Sequence, residues 1–146
     1  MTLLLCLPIY VVAAVIRVPA DQPTIQAGID AALDGDTVLV AGGLYTGEGN
    51  RDIDFGGKAV SLLSQDGPML TVIDCAGSAE EPHRGVVFQN EEGPDSIISG
   101  FTIRNGYADQ GGAIFCWSFG SPTIEDNIII GNTAIQGGGG IYLQTS

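Results

Sequence analysis

GFTIRNGYADQGGAIFC, residues 100–116, is followed by NIIIGNTAIQGGGGIYL, residues 127–143, and the two stretches match at a shift of 27. That shift pairs Phe101 with Ile128, Ile103 with Ile130, Asn105 with Asn132, Gly111 with Gly138, Gly112 with Gly139 and Ile114 with Ile141. Just upstream it pairs Ile97 with Ile124. Carried back along the chain it links Val60, Val87, Ile114 and Ile141. A fixed period of this size marks a stacked repeat.

The repeat is built of strands. Its copies are dense in β-branched residues (Thr102, Ile103, Thr123, Ile124 and Ile128–Ile130) and broken by Gly, Asn and Pro, a composition that disfavours helical hairpins. Expected strands are Asp36–Val40, Ala59–Leu63, Thr71–Asp74, Gly85–Gln89, Ile97–Arg104, Ala113–Cys116, Thr123–Ile130 and Gly140–Leu143. The links between them lack the amphipathic pattern of crossover helices, which argues against a doubly wound sheet. The chain therefore coils through short strands, each coil lying about 4.8 Å from the last. Residues one period apart should form ladders. Val60/Val87/Ile114/Ile141 and Ile97/Ile124 are expected inside, Asn105/Asn132 as an amide ladder at a turn, and Gly85/Gly112/Gly139 as a glycine column.

Ahead of the coils, Ile25, Ile29, Ala32 and Leu33 fall on one helical face between Asp21 and Leu33, with Thr24 or Asp21 as N-cap and Gly35 as stop. Such a helix would cover the apolar end of the first coil. At the other end the register is still running at Gly140–Leu143, so the sequence reads as a longer β-helix cut short, or as an end on which something docks. End-to-end self-association is the expectation for the isolated chain.

Two stretches resemble a known family. Val18–Gly47, VPADQPTIQAGIDAALDGDTVLVAGGLYTG, is similar to the opening of pectin-lyase-like proteins, pectin methylesterases among them: a strand, a short helix and a first coil ending in a G-x-Y turn. The copies GFTIRNG…GGAIFC and NIIIGNT…GGGIYL resemble the GGA-I repeats of polymorphic outer-membrane surface proteins. The resemblance implies an all-β fold, a right-handed parallel β-helix (solenoid) with a short N-terminal capping helix. It implies no one activity, because that scaffold carries lyases, hydrolases, esterases and non-catalytic surface proteins. The catalytic aspartates and arginine of the methylesterases match no position here.

Length suits one domain of about five coils. Residues 3–16, LLLCLPIYVVAAVI, are apolar but short for a membrane span, and no Lys or Arg precedes them. Residues 1–16 read as a signal peptide or apolar leader, or as the trace of a start site further upstream. Residues 17–146 read as the β-helix, placing the protein outside the cell or on its surface with no membrane span in the mature domain. Cys75 and Cys116 remain after the leader with its Cys6, as a disulfide or as buried thiols.

Seventeen acidic and five basic residues give a net charge of −12, which excludes nucleic acid as a partner and disfavours acidic polysaccharide unless Ca²⁺ bridges the carboxylates. The acidic pairs Asp34/Asp36, Asp52/Asp54, Glu80/Glu81 and Glu91/Glu92 read as solvated loop charge, or as that bridge. The sequence calls for no other cofactor, and His83 alone with no CxxC leaves no zinc site.

For chemistry, Asp74, Asp109, Glu125 and Asp126 with Arg84 and Arg104 are the groove acids and bases, and Arg104 is the base a lyase would use. The plainer reading pairs Arg104 with Asp74 or Asp126. Glu125 and Asp126 alone make no glycosidase pair, since adjacent strand residues point apart. No catalytic set emerges. Binding has a sharper signature: with Ile114 and Ile141 inside, Phe88, Phe115 and Tyr142 form an outward row, joined by Trp117, suited to stacking sugar rings. The competing arrangement folds Tyr107–Gln110 or Trp117–Pro122 over that row, or turns the aromatics into the core. The expectation is a non-catalytic β-helix segment binding polysaccharide or a surface protein, with the N-terminal part of a polysaccharide lyase or glycoside hydrolase as the alternative.

Overall fold

A computed structural model describes residues 2, 6–8, 10–117 and 119–144, so the leader expected over 1–16 lies partly outside the described residues. The chain forms β1 (Val15–Val18), α1 (Ile25–Ala31), β2 (Thr37–Val40), β3 (Gly43–Thr46), β4 (Ile53–Asp54), β5 (Ser61–Ser64), β6 (Thr71–Asp74) and β7 (Val86–Phe88). It continues through β8 (Ile97–Ser99), β9 (Thr102–Arg104), β10 (Tyr107–Ala108), β11 (Ile114–Trp117), β12 (Thr123–Glu125), β13 (Ile128–Ile130), β14 (Thr133–Ala134) and β15 (Ile141–Gln144). No helix among the described residues is long and apolar enough to cross a membrane.

From β2 onward, consecutive strands go to different sheets. One sheet runs β1-β2-β5-β8-β12, a second β3-β6-β9-β13, a third β4-β7-β11-β15, and β10 pairs with β14. All these pairings are parallel. The result is an all-β parallel β-helix of about four turns with one short helix. The expected strands Ile97–Arg104 and Thr123–Ile130 are each two strands, split where Gly100 (φ 87°) and Asp126 (φ 53°) turn the chain from the first sheet to the second. Glycine and aspartate tolerate that left-handed conformation, so a β-rich run can turn a corner without a long loop.

The coils are not of one length. Ile114 pairs with Ile141 as the 27-residue shift requires, but it faces Val86 on the other side, and Phe115 faces Val87. Ile98, not Ile97, lies beside Ile124, and Ile103 lies beside Ile129. Asn127 reaches Phe101, and Asn132 reaches Gly106, each across 26 residues. Val60, Val87, Ile114 and Ile141 therefore share no single column: Val60 is buried at the approach to β5, where its carbonyl accepts from Ile97 N, and Val87 points outward. Gly85 N likewise bonds Ala113, not Gly112.

Asn105 and Asn132 make no ladder. Asn105 Nδ2 donates to Asp74, whereas Asn132 Oδ1 accepts from Gly106 N and its Nδ2 donates to Ile103 O. Asn127 repeats this pattern one corner earlier, accepting from Phe101 N and donating to Ile98 O. Each amide fastens a corner to the coil before it, satisfying backbone groups that the turn takes out of the sheets.

Inside, Val38/Leu62/Ile98 line the first sheet, Tyr45/Ile73/Ile103 the second and Ile53/Val86/Ile114 the third, with Phe55 packed against Phe88 at 4.6 Å between ring centres and 43° between ring planes. The inward residues of the last coil are more open, and Leu143 is 63% exposed.

Thr24 caps α1 by accepting from Ala27 N, and Ile25 and Ile29 are buried against the first coil. Leu33 is not part of that face: the helix ends at Ala31, Ala32 is extended, and Leu33 is 68% exposed. Gln26 does what its apolar neighbours cannot. Its Oε1 accepts from Asp54 N and its Nε2 donates to Asp54 O, both at 2.9 Å, so a side-chain amide replaces the missing strand beside the outermost strand β4. Lys58 Nζ donates to the Ile29 and Asp30 carbonyls at the other end of the helix.

The register makes Phe88 a core residue and Val87 a surface one. Phe88→Ala is expected to lower unfolding free energy by about 3–5 kcal/mol, and Val87→Ala by under about 1 kcal/mol, read by urea denaturation. Equal effects would mean that this face is in a different register.

Candidate functional site: an outer cleft on the third sheet

Strand alternation in the third sheet sends Asp54, Val87, Phe115 and Tyr142 outward from four successive coils, each beside the next. The Phe115 and Tyr142 rings stack at 5.9 Å with only 5° between their planes. Trp117, two residues along β11, lies 5.8 Å from Phe115 at 38° and is 45% exposed. Three of the four aromatics expected in an outward row thus come together.

Phe88 does not. Its ring is fully buried against Phe55, because β7 pairs with β11 one residue away from the register a uniform 27-residue coil would give. That offset swaps the two faces of β7 and puts Val87 under Phe115. Asp109 and Gln110 from one neighbouring loop stand beside Phe115 and Trp117 as a wall, and Gly137 from the loop before β15 lies against the Tyr142 ring.

Val87, Phe115 and Trp117 form the floor of a cleft of about 520 Å³, with Asp52, Asp54, Arg84, Gln89, Asp109 and Gln110 around it, and Tyr142 lies beyond that lining, stacked on Phe115. Asp52, at φ 51°, fixes one side: its Oδ1 accepts from Arg84 N at 2.8 Å and its Oδ2 lies 2.6 Å from His83 Nδ1. Tyr107 N donates to His83 O, holding the same segment from the next coil. So anchored, Arg84 lays its guanidinium 4.8 Å from the centre of the Phe115 ring. Burial lowers its pKa against the pull of Asp52 and Asp109, yet a guanidinium stays charged and is held by the ring face. Asp54 is fully engaged, accepting from Gln89 Nε2, Asn90 Nδ2 and Gly56 N.

The other candidate acids and bases lie elsewhere. Arg104 Nε bonds Asp74 Oδ2 at 2.9 Å on the second sheet, the plainer of the two readings of that arginine. Burial alone would raise the Asp74 pKa, but hydrogen bonds from Asn105, Arg104 and Ala76 N bring it below the ordinary value. Glu125 ends β12 and Asp126 forms the corner after it. Of the acidic pairs, Asp34 and Asp36 accept from backbone amides of Ala59, Leu33 and Ala14. Glu92 is buried and accepts from Gly57 N and Asn90 N. Among the described residues no group of three or more His, Cys, Asp or Glu is placed to hold a metal ion.

Asp52, His83 and Arg84 as a unit escape a reading of the sequence, since His83 and Asp52 are 31 residues apart in segments outside the repeat. The only hint is the aromatic row itself, which a base could approach.

Cys75 and Cys116 are both free and buried, and burial pushes their thiols up to about 12 and about 11. They are inert packing groups. With a thiol reagent the folded chain, of three cysteines, is expected to show one reactive thiol, the exposed Cys6, and all three after unfolding without reductant. Only one reactive thiol in the unfolded chain would reveal a disulfide instead.

Comparison of the chain with protein-family models, with curated proteins and with solved structures finds no match.

Proposed function

We propose that this β-helix is a non-catalytic part of a secreted or cell-surface protein and that it binds glycan through the cleft on its third sheet. The observation that carries the reading is the aromatic pair Phe115 and Trp117 on the floor of the cleft, 5.8 Å apart with Trp117 exposed, backed by Tyr142 stacked parallel to Phe115 on a row that crosses four coils. Sugar rings have apolar C–H faces and polar edges. A floor of aromatic rings with amides and carboxylates at its rim complements both. A protein partner would meet the same surface, but the polar rim and the groove's narrow floor favour a chain of rings over a flat protein face. The likeness of Val18–Gly47 and of the GGA-I copies to pectin-lyase-like and outer-membrane surface proteins agrees with the reading.

An enzyme acting on polysaccharide has one observation in its favour, the three carboxylates and one guanidinium at a single cleft. Against it, both oxygens of Asp52 and of Asp54 already serve the fold. Arg104, the base proposed for a lyase, is bound to Asp74.

A glycan array followed by calorimetry tests the reading. Phe115→Ala and Trp117→Ala are each expected to weaken the best glycan about tenfold, with an unchanged melting temperature and no new reducing ends on prolonged incubation. Unaltered affinity in both variants would remove the cleft as the site. Release of reducing ends or of unsaturated product would establish the enzyme.

A further inference from the structure

We propose that the cleft selects a neutral, hydroxyl-rich glycan over an acidic one, and that Asp109 and Arg84 are the pair that reads its hydroxyl groups. This rests on the glycan-binding reading above and adds the class of sugar.

The polar groups around the aromatic floor divide into those the fold uses and those it leaves free. Asp52 and Asp54 are used, every one of their oxygens having a partner within the protein. Asp109 and Arg84 are free: among the described residues, neither the Asp109 carboxylate nor the Arg84 guanidinium has a hydrogen-bonded or ion-paired partner, although both line the same cleft. Arg84 keeps its place without a carboxylate because the Phe115 face holds it and the Asp52 carboxylate anchors its backbone.

A free acceptor-only group and a free donor-only group on one rim suit a ligand that both donates and accepts. A carboxylate accepts and a guanidinium donates. Neighbouring sugar hydroxyls do both, so one ring can donate to Asp109 and accept from Arg84 while its C–H face lies on the exposed Trp117 in the same cleft. No net charge need enter the cleft.

An acidic glycan meets the opposite situation. It would bring repeated negative charge to a lining of three carboxylates and one guanidinium, on a chain of net charge −12. Across a cleft of this size such charges lie within a Debye length of about 10 Å at 0.1 M salt, so screening does not remove the repulsion. Arg84 alone would offset one sugar carboxylate while leaving Asp109 facing the next.

Calorimetry with neutral tetrasaccharides (cellotetraose, xylotetraose, mannotetraose, galactotetraose) and with tetragalacturonate decides between the two. The expected result is that at least one neutral tetrasaccharide binds about tenfold or more tighter than tetragalacturonate, with little change between about 50 and 300 mM NaCl. Asp109→Asn and Arg84→Gln are each expected to weaken that neutral ligand about tenfold, since hydrogen bonds to charged groups are the strong ones. Thermal melting checks that both variants fold. Tighter binding of tetragalacturonate, or binding strengthened by Asp109→Asn, would overturn the selectivity and leave the glycan-binding reading standing. Binding of neither kind would overturn both.

Discussion

Parallel coils bonded to each other residue by residue leave little freedom over which way a side chain points. Once β7 is paired to β11, alternation along the strand decides that Phe88 lies inside and Val87 outside, whatever the side chains would individually prefer. The length of the intervening coil sets that pairing. One residue more or less between two strands exchanges core and surface along the whole strand, and the corners are where such residues are gained. In the last coil the corner strands keep a 26-residue spacing to their neighbours, and β15 returns to 27 because one residue enters before Gly138.

The corners are therefore controlled as tightly as the strands. Asn127 and Asn132 each bind a backbone amide and a backbone carbonyl of the preceding coil, and Asp126, Gly100 and Asn105 supply the left-handed conformations. At the start of the solenoid the same problem takes another form, a strand edge with no neighbour. Gln26 answers it with one amide that donates and accepts as a peptide would, while Ile25 and Ile29 cover the apolar end. Polar and apolar capping thus come from adjacent residues of one short helix.

The sequence made the architecture legible because β-branched runs, glycine punctuation and a long period all point to stacked short strands. Thr24 as a cap and the buried Ile25/Ile29 pair were legible for the same reason: their signals are local. Column membership was not. A single period fitted to the last two coils cannot see that the segment between β7 and β11 is one residue longer, so it puts Phe88 among the outward aromatics and Val87 among the inward aliphatics, while Val60 is inside as expected but in no common column with Ile114. Phe115, Trp117 and Tyr142 were found because they belong to the one strand pair that keeps the 27-residue shift. The Asp52–His83 contact and the seat of Arg84 lie in excursions that do not repeat, where no spacing rule reaches.

What the register delivers to the surface is a row of side chains from four coils, carboxylate, valine, phenylalanine and tyrosine in succession, with free charge of both signs beside it. Trp117 stands on this row and is the only tryptophan in the chain. Its fluorescence therefore reports on this cleft and on the neighbouring pocket lined by Phe119, Gly120 and Leu143, and titrating it with the tightest-binding glycan tests the central claim most directly. The expected result is a saturable shift of Trp117 emission to shorter wavelength, with the dissociation constant found by calorimetry. Glycan binding that leaves the Trp117 emission unchanged would contradict it, because the ligand would then lie elsewhere on the molecule.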